Sequence, residues 1–331
     1  MMRRLAVHWR AFWFAPAPIT NLAISRILFF LGLTLFYLPH DFSGWGDVSP
    51  ALYQPIWLFD FLRLPILSLP ALNVVQAVWK LSLACACIGL YTRTSITVAA
   101  ILGTYLLGLG HNFGQTYHFD AILVLAFWIL AFSRAGDGWS VDAARRAARD
   151  PGFRPVETSS EYRWPVQLVL VALSLVFCAA GTAKLRASGL QWFTTDHLAI
   201  LLDRVQYHIS DAEPWFPWGS TLARIPYAAN LMAFSTIFFE TTYPLALFSR
   251  RLRPVMVMGG IGLILGIRAL MGPTFENFLL INLFWVPWDR VEAWIRARIG
   301  VLSAAPSPGA ASAATSPVAV AARSEHLTEV R

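Results

Sequence analysis

Residues 168–192 read LVLVALSLVFCAAGTAKLRASGLQW, and the fold follows from this stretch. It opens as an apolar run long enough to cross a bilayer as a helix. It then narrows to Ala179-Ala180-Gly181-Thr182-Ala183 and sets one ammonium, Lys184, where the hydrocarbon should end. Small residues let a second helix or a flat ligand come close, and an ionisable group at that depth is costly enough to point to function. The same lysine could equally reach the headgroups along its apolar stem. The helix by itself leaves both readings open.

The rest of the chain has the same character. Its 331 residues are 56% hydrophobic and 14% charged, with a mean hydropathy of +0.54, too apolar for a water-soluble domain. The expected fold class is all-α, a polytopic membrane bundle of about eight transmembrane helices. They are drawn at 20–39, 73–91, 94–110, 118–133, 165–185, 228–248, 254–271 and 275–289. Three segments follow: an interfacial N-terminal piece (1–19), the transmembrane domain (20–290) and a tail (291–331). The N-terminal piece has arginines but no tidy apolar core ending in a cleavage site, so it is read as retained and cytoplasmic, with Trp9, Trp13 and Phe14 at the interface. The tail is rich in Ala, Ser and Pro from about residue 303 and is expected to be disordered.

The net charge of +7 does not mean nucleic acid, because the basic residues are dispersed between apolar runs. Arg93, Arg134, Arg145, Arg146, Arg149, Arg154, Arg250 and Arg251 fall on one side of the drawn topology, against Arg63, Arg186, Arg204 and Arg224 on the other. The positive-inside bias then puts both termini in the cytoplasm of a multi-pass cell-membrane protein, with membrane lipids as its immediate partners. Protein partners are not readable.

Prolines at 50, 55, 65 and 70 break the loop 40–72 into short interfacial or re-entrant pieces. The loop 186–227 should cap the outer mouth of the bundle. It carries an amphipathic helix after Thr194 or Thr195, with Leu198, Leu201, Leu202 and Val205 on one face, and an aromatic wedge at Trp215-Phe216-Pro217-Trp218. A second helix is expected around residues 141–149.

Arg26, Lys80 and Glu240 are charges inside apolar spans, and charge facing lipid is expensive. The favoured structural pair is Glu240 with Arg26 or Lys80. Arg268 and Glu276 stand near the outer rim. The topology brings His118, with His111, Tyr117 and Asp120 near it in sequence, to the same side as Lys184. An imidazole, a carboxylate and a desolvated amine make a candidate proton-handling site, with Lys184 as base and His118 as its partner. His118 at a helix start also suits a plain cap, and Asp120 suits the helix dipole without any chemistry. The three cysteines lie in apolar runs without zinc spacing, so no metal is expected. No nucleotide loop or metalloprotease motif is present.

Several of these stretches together resemble one family. They are Ile24-Ser25-Arg26-Ile27-Leu28-Phe29-Phe30, then Tyr117-His118 with a following span that ends near Trp139-Ser140-Val141-Asp142, and Ala180-Gly181-Thr182-Ala183-Lys184-Leu185 with Gly189 and Trp192 after it. The chain is similar, over roughly residues 15–290, to the HTTM (horizontally transferred transmembrane) family, related to the vitamin K-dependent gamma-carboxylase. The resemblance implies that Lys184 matches the base that deprotonates a reduced quinone (menaquinol-like) and that His118 assists it. The oxygenated quinone then takes a proton from glutamate before carbon dioxide adds. Two departures weigh against carboxylation of a protein substrate. The carboxylase has a large exterior C-terminal domain, and here span seven, GGIGLILGIRALMGP, has Arg268 where a family histidine is sought. Two function classes stay open: a quinol-using membrane enzyme, and a non-catalytic lipid- or quinone-binding or DoxX-like subunit or small transporter.

Overall fold

The computed structural model describes residues 2–114, 120–154, 156–207, 213–273 and 275–303. Residues 1–289 form one compact unit and 290–331 a second. Among the described residues the fold is helical, with one two-residue strand pair, and five helices are long and apolar enough to cross a membrane.

The first unit opens with α1 (Met2–Phe14), which lays Phe12 on Phe248 with ring centroids 5.7 Å apart and exposes Trp9 and Phe14. The strand β1 (Ala17–Pro18) pairs antiparallel with β2 (Thr158–Ser159), which ties the entry of α2 to that of the later long helix. Spanning helix α2 (Ile19–Tyr37) leads into the proline-broken loop. There the chain makes two 3-10 turns (Ser43–Asp47 and Pro50–Leu52) and the single turn α3 (Trp57–Phe61), short pieces as the prolines demand.

Spanning helices α4 (Leu69–Ile88) and α5 (Thr92–Leu109) form a hairpin that turns at Gly89. Gly89 has φ +71°, and a Cβ there would lie 2.3 Å from Ser140 Cβ, so both conformation and contact exclude a side chain. Trp79 of α4 is fully buried and donates its indole N–H to Ala99 O of α5 at 3.1 Å. Helix α6 (Ala121–Ala131) is apolar but only 11 residues long, and α7 (Val141–Arg149) matches the helix expected around 141–149.

The decisive stretch forms the 26-residue α8 (Arg163–Ser188), which ends where Gly189 takes φ +57°. The loop after it carries α9 (Gln191–Thr194), α10 (His197–Tyr207) and α11 (Gly219–Arg224). The expected amphipathic helix is α10, which buries Leu202. Thr195 does not cap it; its hydroxyl donates to Gln191 O and closes α9. Helix α12 (Ala228–Thr242) stops at the turn before Pro244, leaving α13 (Leu245–Phe248) as a separate turn. The span drawn over 228–248 is thus two pieces. Spanning helix α14 (Arg253–Met271) follows, and the last drawn span is the seven-residue α15 (Glu276–Asn282) running into a 3-10 turn (Leu283–Trp285) before Pro287. Helix α16 (Trp288–Ser303) leads into the second unit, where Arg296 pairs with Glu292 one turn earlier. The expected disordered tail falls on 304–331, outside the described residues.

Because lipid is as apolar as leucine, these helices hold together by close packing and by internal polar bonds. Phe29, Phe30, Phe127 and Phe284 make one aromatic cluster, with centroids 5.2–5.9 Å apart. In the other half Phe177 stacks on Tyr243 at 4.3 Å. The Tyr243 hydroxyl donates to Asn282 Oδ1 at 2.8 Å and accepts from Trp285 Nε1 at 3.0 Å, so this buried hydroxyl has both kinds of partner.

Candidate proton site at the C-terminal end of α8

Lys184 lies 21 residues beyond Arg163 on α8, about 30 Å at 1.5 Å per residue. That is about the thickness of a hydrocarbon core. One turn earlier, Gly181 faces α12 so closely that a Cβ would meet Thr241 Cγ2 at 2.8 Å and Glu240 Cβ at 2.9 Å. The small residue therefore sets the helix separation, and that separation brings Glu240 under the lysine. Nζ of Lys184 donates to both Glu240 oxygens at 2.7 Å. The lysine side chain is 25% exposed and the glutamate 7%.

This corrects the expected pairing of Glu240 with Arg26 or Lys80. Helix α12 packs on α8 and α14, so the cation within its reach is on α8. Arg26, fully buried, instead donates to Ala135 O and Trp139 O, both at 2.6 Å. Lys80 donates to Leu38 O at 3.1 Å and to His40 O. The carbonyls that Lys80 serves lie at the C-terminal end of α2, where positive charge is favoured.

An indole completes the site. Nζ of Lys184 sits 5.8 Å from the Trp192 ring centroid, on the far side of the Gly189 turn. The indole Nε1 is buried and has no hydrogen-bond partner, an unusual state for a strong donor. His197 packs against the same indole with centroids 4.5 Å apart. Asn230 of α12 holds this segment in place, donating to Phe193 O and Thr195 O, both at 3.0 Å.

His118 and Tyr117 lie outside the described residues. Of their neighbours in sequence, Asp120 sits 3.4 Å from His111 Nε2 and accepts from Asn277 Nδ2 at 3.2 Å, joining the end of α5 to the starts of α6 and α15. Arg268 donates to Glu213 O and to Gly272 O, and stacks over Trp215 at 5.3 Å, so it fastens the aromatic wedge to α14. The residue that sequence reasoning missed is His197. Its only signal was its place at the start of the amphipathic helix, five residues after Trp192.

What the arrangement can do follows from its proton inventory. The ammonium in a bidentate ion pair is an acid. If its proton crosses to the carboxylate, a neutral amine and a carboxylic acid remain, and the amine is then a base. The free indole N–H can hold an acceptor oxygen beside that amine.

No curated protein and no solved structure matches the chain. The sequence profile of the HTTM domain matches residues 14–266, which take in α2 through most of α14 and every residue of the Lys184 site. This membrane protein belongs to the HTTM domain family.

Proposed function

We propose that the chain is a multi-pass cell-membrane protein, both termini cytoplasmic, that uses Lys184 and Glu240 to exchange a proton with a lipid-soluble reduced quinone. The observation that carries this reading is the pairing itself: an amine and a carboxylate joined by two 2.7 Å bonds beside a buried, unpartnered indole N–H. The residues fit such a ligand. Trp192 offers a flat apolar face and a donor for a quinone oxygen. Lys184 and Glu240 together can accept a proton without leaving an unpaired charge in a dry setting. His197, exposed beside the same indole, would pass protons to water. A bound hydroquinone would supply the acidic hydroxyl. The similarity to the vitamin K-dependent gamma-carboxylase supports the quinol class. Arg268, where a family histidine is sought, speaks against carboxylation of a protein substrate.

One observation favours a second reading, a non-catalytic lipid- or quinone-binding subunit. Gly181 and the ion pair sit on adjacent turns of the α8–α12 contact, so the pair also clamps two helices. The two readings separate in nanodiscs. Wild type, Lys184→Met and Glu240→Gln are compared for melting temperature, for extracted quinones by mass spectrometry, and for consumption of an added hydroquinone with dioxygen supplied as the electron acceptor. The enzyme reading expects both variants to fold and keep quinone while turnover falls about 100-fold. A clamp expects lower melting and no turnover even in wild type. Wild type that holds no quinone and consumes hydroquinone no faster than empty nanodiscs sinks the quinol reading.

A further inference from the structure

The opposite end of the bundle carries a concave feature. A cleft of about 400 Å³ lies between the α4–α5 turn, the segment after α6 and helix α7, and five of its lining residues are Arg93, Arg134, Arg145, Arg146 and Arg149. Only two acids line it, Asp137 and Asp142, and both are already engaged. Asp142 accepts from Tyr91 N at 2.9 Å, Thr92 N at 2.6 Å and Thr92 Oγ1 at 2.7 Å. Asp137 accepts from Arg146 at 3.2 Å and from the Tyr162 hydroxyl at 3.4 Å.

The walls are held from inside. Arg26 fixes the carbonyls of Ala135 and Trp139, and Asp142 fixes the start of α7 to the start of α5. The arginines on these walls are therefore fixed relative to one another at their backbones. Among the described residues, the side chains of Arg93, Arg134 and Arg149 make no hydrogen bond or ion pair, while Arg145 stacks over Tyr91 at 5.3 Å and is near enough to Asp142 to favour its charged form. Tyr91, 67% exposed, lines the cleft, and the exposed Phe132 directly precedes its lining residues Ser133 and Arg134, as aromatic side chains do at a membrane interface.

We propose that this cleft binds the phosphate of an anionic phospholipid. Guanidinium forks suit phosphate oxygens, and basic pockets between spanning helices take such headgroups. A merely scattered positive-inside bias does not require convergent arginines around a concavity. The exposed aromatic residues select a lipid over free phosphate, which has no apolar part to place against them. This site is independent of the Lys184 reading.

The test compares full-length protein in nanodiscs of phosphatidylcholine alone or mixed with phosphatidylglycerol, with retained lipid read by native mass spectrometry. Wild type should retain phosphatidylglycerol preferentially. Combined Arg93→Gln, Arg134→Gln and Arg149→Gln should lower that retention about tenfold. Combined Arg154→Gln, Arg250→Gln and Arg251→Gln, which removes the same charge away from the cleft, should not. If the cleft triple fails to fold, Arg134→Gln alone carries the test with a drop of roughly threefold. Equal loss in both triples, or equal retention of the two lipids by wild type, overturns the site. Displacement by inorganic phosphate without any lipid preference overturns the lipid and assigns a soluble anion.

Discussion

At the arginine-rich end, the cation set into an apolar helix is Arg26, with no exposed surface and its two terminal nitrogens on fixed backbone carbonyls. At the other end it is Lys184, a quarter exposed, paired with a carboxylate and facing an indole whose N–H has no partner. A guanidinium stays protonated under all ordinary conditions, and carbonyls cannot take its proton. Such a group can only hold loops together. An amine on a carboxylate can give up its proton to its own partner, so the same sign of charge at similar cost becomes chemistry. The packing around the two differs in the same sense: half of the α2 span is buried against 33% of the α8 span.

The sharpest way to break this contrast is Arg26→Met. Leaving the carbonyls of Ala135 and Trp139 without donors should cost about 2–5 kcal/mol, read as a large drop in melting temperature. A drop no larger than that of Lys184→Met would erase the distinction between the ends. Trp192→Phe should have a smaller effect on folding. It keeps a ring and deletes a donor that had no partner, so stability should change by less than about 1 kcal/mol while quinone retention falls. Unchanged retention would show that the orphan N–H holds nothing.

The smallest effect belongs to Asp142 on α7. Burial raises its carboxyl, but the bonds from Thr92 and Tyr91 outweigh burial and hold it below the usual carboxylate range. A depressed carboxyl contributes stability that is complete above the unfolded value and is lost as pH falls through the folded one. Protection of the Thr92 amide from hydrogen exchange should therefore be flat from neutral pH down to the ordinary carboxylate range and decline only below it. A decline that begins near neutral pH would contradict the clamp.

Much of this was legible because lipid imposes length and hydropathy on each spanning helix. The stretch around Lys184, the helix over 141–149 and the proline-broken loop all announce themselves locally. Three drawn spans fared less well for physical reasons. One is 11 residues long, one breaks before Pro244, and one is a seven-residue helix that ends in a 3-10 turn. Apolar runs of such length read alike whether they cross a bilayer or fill a bundle. The Lys184–Glu240 pair was hidden for another reason: the partners are 56 residues apart, and Gly181 selects the partner through a helix separation that no periodicity encodes. His197 was hidden because its link to the lysine runs through the face of an indole.

The bonds from Asn230 divide ownership of the site. Asn230 and Glu240 belong to one rod, and the carbonyls it grips lie within three residues after Trp192, so acid and indole travel together. Lys184 belongs to a different rod, whose backbone reaches Trp192 through Gly189, where space beside the backbone is open. Any sliding between the rods would thus work like a clasp, parting the amine from its carboxylate while the indole stays with the carboxylate.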